Sequence, residues 1–397
     1  MIPTLLALMA ALLLWHPWTA PPPGWHALAE PYRFSIVRWE ARTLLAKGQH
    51  DLAALGRAER TSRERRQAVE CYFSLVRRME QARLEGDTLS LSKGGSLASL
   101  EAERAALEDI VEDIIEGQVS QVLREEGLTL KLAPLERVGV GPDFELVLPP
   151  VNLELSLTPH LLVISPRERI EEIDAILLQE NMSTEEMEHL EAEVEKLGVS
   201  ALVTGTGGLA TYPSLIPERA PLERCLELTS HEWLHAYLFF SPLGRHYNDS
   251  YEMRTINETV ADMGGQEIGR LVVKRYYAEE AQGSVQQVGG ETSAERFNKM
   301  LRETRLTVDK YLAEGQVDAA EAFMEERRQM LAAEGFPIRK LNQAYFAFHG
   351  AYADSPASVS PIGAELAQLR AKSGSLGAFL KTVSGVSSYE ELEALLR

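Results

Sequence analysis

The spacing of apolar positions changes three times along this chain. Val69, Tyr72, Phe73, Val76 and Met79, and then Leu107, Ile110, Val111, Ile114, Ile115 and Val122, recur at three- and four-residue intervals. This predicts amphipathic helices from the proline-rich break at 21–23 to about residue 126, with Lys93-Gly94-Gly95 as the loop between two long ones. From about 129 to 165 the period shortens to two. Phe144–Leu148 and Asn152–Leu157 alternate, and His160–Ser165 reads as a third strand. Two helices are expected next, at about 168–179 and 184–197, the second opened by a capping box of Ser183 and Glu186. Val199–Val203 and Gly208–Pro213 read as extended chain, with the proline at a strand end. From 219 onward the helical period returns. Leu222, Leu226, Trp233, Leu234 and Leu238 share one helix, closed by Ser241-Pro242-Leu243-Gly244, and a second helix covers about 252–280. The remainder reads as helical, with a loop at about 350–363.

This order predicts an α+β protein: an apolar leading segment (1–28), a helical region (29–127), a core of mixed sheet and helices (128–280) and a helical C-terminal part (281–397). The leading segment is nearly all apolar from Ile2 to Trp15, and Trp15 and Trp18 flank its end. At about 14 residues it suits a signal-peptide core or a short anchor, since a full span needs about 20. The expectation is therefore a membrane-anchored or secreted chain whose remaining residues lie outside the cytoplasm; a packed N-terminal helix is the alternative.

Charge narrows the partners. The 397 residues carry a formal net charge of -19, which repels phosphate backbones and excludes nucleic acid as a partner. Gly205-Thr206-Gly207-Gly208-Leu209 has the spacing of neither a nucleotide-binding P-loop nor a dinucleotide fingerprint. Cys71 and Cys225, far apart in sequence, make neither a disulfide framework nor a zinc site.

The chemistry lies in residues 231–235, His-Glu-Trp-Leu-His. On a helix, positions i and i+4 share a face, so His231 and His235 can reach one zinc ion, and Glu232 stands where it can take a proton from a water that the ion acidifies. A catalytic zinc needs a third protein ligand. Asn257-Glu258-Thr259-Val260-Ala261-Asp262, in the next predicted helix, offers Glu258. Asp262, one turn on, could accept the free N–H of a ligand histidine. His246 and Asp249, in the intervening loop, are the competing third ligands.

His-Glu-x-x-His followed by Asn-Glu-x-x-Ala-Asp resembles the gluzincins, the thermolysin-like class of zinc metallopeptidases; here 22 residues separate His235 from Glu258. The resemblance covers roughly residues 200–266. It implies a zincin-like domain with His231, His235 and Glu258 as ligands, Glu232 as general base, and Asn257 and Asp262 holding the ligands from behind. It also implies an extended segment at Gly208–Pro213 along which a peptide substrate lies. The Gly-x-Met-Glu-Asn signature of the aminopeptidase branch is missing, which tells against that branch and leaves an endopeptidase acting on peptides or proteins. Similar enzymes stabilise the oxyanion with a histidine or tyrosine from the C-terminal part. His349 and Tyr352, with Tyr345 behind them, are the residues here for that role. A binding or scaffold protein at a membrane, built on a zincin fold that has lost catalysis, is the second functional expectation.

Overall fold

A computed structural model describes residues 23–54, 60–84, 97–131, 145–277, 292–353 and 355–397. The Ile2–Trp15 segment, the Lys93-Gly94-Gly95 loop and Phe144 lie outside these residues. The elements are α1 (Gly24–Ala29), α2 (Ile36–Ala54), α3 (Ser62–Leu84), α4 (Leu97–Ala105), α5 (Glu108–Glu125), β1 (Leu130–Lys131), β2 (Glu145–Leu146), β3 (Leu153–Ser156), β4 (His160–Pro166), β5 (Asp174–Leu178), α6 (Thr184–Glu195), β6 (Val199–Gly205) and β7 (Ser214–Pro217). They continue as α7 (Leu222–Leu238), α8 (Pro242–Arg245), α9 (Tyr251–Tyr276), α10 (Ser293–Ala313), α11 (Val317–Ala333), α12 (Gln343–His349), α13 (Ile362–Lys372), α14 (Leu376–Val383) and α15 (Tyr389–Leu396). The protein is mixed helix and sheet, with helix dominating. Among the described residues no helix is long and apolar enough to cross a membrane.

The sheets are small. β5, β4 and β6 form an antiparallel sheet in that order, β3 pairs with β7 in parallel, and β1 pairs with β2. The outer edge of β6 is closed by side chains. Glu191 of α6 accepts from Val203 N at 2.6 Å, Arg339 donates to Val203 O at 2.6 Å, and Asn342 donates to Ala201 O at 2.9 Å. The edge strand thus offers no free ladder at these positions to another chain.

One core runs through the molecule. It joins Tyr72 and Phe73 of α3 and Ile115 of α5 to Leu153 of β3, Leu234 of α7, Ile256 of α9 and Phe379 of α14. A second lies under the three-stranded sheet, around Leu162, Ile176 and Leu190. A third fills the α10–α11 hairpin, around Val308, Met324 and Phe346.

Two expectations are corrected. No helix occupies 168–179; its second half is strand β5. Ile170, Ile173 and Ile176 sit at helix-like intervals, but Ile176 and Leu178 alternate into the second core, and pairing with β4 decides the outcome over local spacing. Gly208–Pro213 is not a strand either. It turns back on itself through a single bridge between Leu209 and Leu215, and regular pairing with β3 starts only at Ser214, beyond the proline that has no N–H to give. The Ser183–Glu186 capping box of α6 is present as expected.

Candidate metal centre

Helix α7 is fixed before its histidines matter. Its face with Leu226, Leu234 and Leu238 is buried in the main core, and the Trp233 indole donates to Pro149 O at 2.8 Å. Helix α9 crosses it in close contact because glycine lies at the crossing. A Cβ on Gly265 would stand 2.8 Å from Glu227 O and 3.0 Å from His231 N. That approach brings Glu258 of α9 over the two histidines of α7.

The three sequence-derived ligands converge. His231 Nε2 and His235 Nε2 lie 3.1 Å apart, and Glu258 Oε2 lies 3.7 Å from the first and 3.4 Å from the second. A tetrahedral zinc with bonds of 2.0–2.1 Å spaces its ligands by about 3.3 Å, so these atoms have the spacing of one face of a zinc coordination shell. Glu232 also brings a carboxylate oxygen within 4.8 Å of both histidines. Either carboxylate could therefore complete a metal site with the two histidines, Glu258 Oε2 standing 3.4 and 3.7 Å from their Nε2 atoms.

The outer contacts divide unequally. His235 Nδ1–H donates to Asn257 Oδ1 at 2.9 Å, and Asn257 in turn faces Leu243 O at 3.5 Å. His231 Nδ1 is buried without a hydrogen-bond partner. Its nearest carboxylate, Asp262 Oδ1, stands 3.9 Å away, too far for a hydrogen bond, while Asp262 Oδ2 accepts from Gln266 at 2.6 Å. Asp262 is therefore in the expected place but not in the expected contact.

Tyr247 is a site residue that the sequence reading missed. Its hydroxyl donates to Glu258 Oε1 at 2.5 Å, which leaves Oε2 turned to the histidines. Arg254 lies over the Tyr247 ring, 5.5 Å from its centroid, and pairs with Glu172. The available signal was position: Tyr247 falls between the two motifs, next to His246. His246 itself pairs with Asp249 at 2.6 Å on the exposed surface, so neither competes as a ligand.

Burial and mutual charge set the protonation of the bare cluster. Burial, and then His235, lowers His231 to about 4. Burial alone would also lower His235, but the Glu258 carboxylate outweighs it and pushes His235 up to about 9. Glu258, which burial would raise, is drawn down to about 2 by His235. Burial raises Glu232 to about 7. The centre thus prefers one positive charge beside the Glu258 carboxylate, the balance that a cation also satisfies.

A cleft of about 1140 Å³ opens over the cluster. Its floor is one stripe of α7, from Arg224 to Phe239, and one wall is the Gly205–Tyr212 segment. Gly208 lies directly on the general-base candidate: a Cβ there would stand 2.5 Å from Glu232 Oε1. His349 and Tyr352 also line the cleft. The Tyr352 ring centroid is 6.2 Å from that of His231, and the Glu258 carboxylate, ahead of burial, holds the Tyr352 hydroxyl well above its ordinary range. His349 lies further along the wall, its ring 4.3 Å from that of Tyr345, and burial lowers it to about 4.

Four side chains fix the loop that presents Tyr352. Tyr251 donates to Gly350 O at 2.9 Å, Ala353 N donates to Thr259 Oγ1 at 2.9 Å, and Arg305 and Arg302 donate to Ala357 O and Ser358 O at 3.0 and 2.9 Å. Thr259 adjoins the candidate ligand Glu258 on α9.

Comparison of the chain with protein-family models, with curated proteins and with solved structures finds no match.

Proposed function

We propose that this chain is a zinc-dependent peptidase of zincin type, hydrolysing internal peptide bonds and held at, or exported across, a membrane by its apolar leading segment. One observation carries the reading: two imidazole nitrogens and one carboxylate oxygen, 3.1–3.7 Å apart, lie at the floor of an open cleft with a second carboxylate, Glu232, beside them.

His231, His235 and Glu258 would hold the ion, and three protein ligands leave a position open for substrate or water. A zinc ion there supplies Lewis acidity, which polarises a scissile carbonyl and acidifies a water. Glu232 accepts the proton of the attacking water and delivers it to the departing amine. The absence of a side chain at Gly208 leaves room for the Glu232 carboxylate, and a peptide would lie along the glycine-rich wall beside it. Tyr352, which reaches the ligand cluster, is the donor placed for the developing oxyanion, with His349 second along the same wall.

The test is metal content with peptide hydrolysis, for wild type, Glu258→Ala and Glu232→Gln. The reading expects one zinc per wild-type chain, weak or no zinc in Glu258→Ala, and full zinc without hydrolysis in Glu232→Gln. A wild-type protein that binds no zinc, or that carries zinc but cleaves nothing in a broad peptide library, refutes it.

A further inference from the structure

Helix α2 is built inside out. Its inward side is largely polar: after the half-buried Ile36 and Trp39, Glu40, Thr43, Lys47 and His50 recur every three or four residues and face the protein. Lys47 Nζ pairs with Glu112 at 2.8 Å and Glu116 at 3.4 Å, and His50 pairs with Asp109 at 3.0 Å and Asp113 at 3.2 Å. Glu40 accepts from Tyr212 N at 3.2 Å. The outward stripe is apolar instead. Val37, Leu44 and Leu45 are 56%, 45% and 70% exposed, and fall with Ala41 and Gly48 within about 100° of arc. Arg38 and Arg42, both exposed, flank this stripe on one side. An ordinary surface helix shows the reverse arrangement, so the outward face is shaped for a partner.

We propose that this face of α2 rests on an anionic lipid surface. Two arginines beside an apolar stripe, on a chain of net charge -19, concentrate positive charge where the apolar residues are exposed, which complements lipid phosphates. A second copy in antiparallel two-fold contact through this stripe fits less well, because it brings the same arginines towards each other. The chain also points to lipid: α2 follows α1 closely, and the residues before α1 include the apolar run Ile2–Trp15.

The placement has a consequence for the cleft. Glu40, which lines the cleft, is one turn from Leu44 on the same helix, and a helix is only about 10 Å wide. A bilayer under α2 therefore lies beside the cleft rim. Resting on the peptidase reading, this makes the substrates chain segments that lie on, or emerge from, the membrane surface.

The experiment uses the full chain in a Cys71→Ser background, with an environment-sensitive fluorophore at Leu45→Cys and, as a control, at Leu306→Cys on α10, where Leu306 is 53% exposed. Phosphatidylcholine vesicles with and without one-quarter phosphatidylglycerol are compared. The proposal expects a blue shift, and quenching by spin-labelled lipid, at position 45 only. Both should be strongest with the anionic lipid and reduced by Arg38→Glu with Arg42→Glu. A water-like emission at 45 on vesicle-bound chain overturns it, as does a shift without vesicles that grows with protein concentration, which would mark a second copy as the partner. Zinc chelation leaves these signals unchanged, so they stand or fall apart from the peptidase reading. For the substrate class, a peptide tethered to lipid should be cleaved about tenfold faster than the free peptide through its raised local concentration. Leu44→Glu with Leu45→Glu should abolish that preference without slowing cleavage of the free peptide. Equal rates for tethered and free peptide in the wild type overturn the substrate assignment.

Discussion

Glu232 and Glu258 carry the same functional group in the same cleft, and the proposed reading gives them different work because their surroundings differ. Glu258 has one oxygen held by Tyr247 and the other turned to the histidines, whereas Glu232 lies in the space that a Cβ on Gly208 would enter. Each neighbour gives a prediction. Tyr247→Phe frees Glu258 Oε1, and zinc affinity should weaken about 10–100-fold, the usual cost of losing an outer contact to a ligand, as read by competition with a chromogenic chelator. Unchanged affinity would show that Tyr247 plays no part in presenting the ligand. Gly208→Ala forces the Glu232 carboxylate to move. Because the atom met is the end of a side chain, the melting temperature should hardly change and zinc should stay bound, while kcat drops about tenfold, as proton transfer depends on position. A variant as active as wild type would remove Gly208 from the account. Glu232→Gln itself should lose about 100-fold or more in kcat, the scale of general acid–base catalysis, with zinc stoichiometry kept.

Helix α9 carries the proposed ligand and a support of the cleft together, since Glu258 and Thr259 are adjacent and Thr259 accepts from Ala353 N in the loop that presents Tyr352. Thr259→Val preserves shape and removes that acceptor. Zinc content should be unchanged, kcat should fall about tenfold, and Thr259→Ser should restore it, because loss of a fixed donor acts on the reaction and not on the fold. Wild-type kcat in the valine variant would leave Thr259 a purely structural residue. What the sequence revealed at this scale follows from range. His231, His235 and Glu232 lie on one helix, so their proximity was legible in their spacing, whereas Glu258 and Asn257 came from the next predicted helix and from the resemblance. Tyr247 and the clamps on the Tyr352 loop depend on contacts between distant segments, such as Arg305 with Ala357 O, which no periodicity reports. Strand β5 was misread for the same reason, since its pairing with β4 overrides a helix-like run of isoleucines. That α2 turns an apolar stripe outward was not legible in the sequence, because the carboxylates of α5 decide which stripe is buried.

Those carboxylates tie the molecule together and make its stability depend on pH. Strand β3 pairs with β7 on one side only; on the other, Leu155 N donates to Glu112 at 2.7 Å and Leu153 N to Glu116 at 3.0 Å, so α5 takes the place of a strand, and Lys47 of α2 joins the same two side chains. Burial of so many acids around Lys47 and Arg104 raises them: burial pushes Glu116 to about 7 and Glu108 to about 7, and burial, with Glu112 next, pushes Glu154 to about 8. The sign follows from linkage. A carboxyl whose folded value lies above its unfolded value binds protons more tightly when folded, so its stabilising effect is complete below the unfolded value and is lost as pH rises through the folded one. For this cluster the loss runs from about pH 4.5 to about 8. Histidines act in the same range with both signs: His231 and His349 are lowered to about 4, which adds stability as pH rises, while His235 is raised to about 9, which removes it. A comparison of wild type with Glu154→Gln cancels these shared contributions, and a chelator in both samples removes the pH dependence of metal binding. The wild type should lose roughly 2–6 °C more in melting temperature between pH 5.5 and 8.5 than Glu154→Gln, which keeps the shape and cannot ionise. Parallel melting curves for the two proteins across that range would mean that Glu154 titrates at its ordinary value, and that β3 is joined to α5 by hydrogen bonds without the charge crowding argued here.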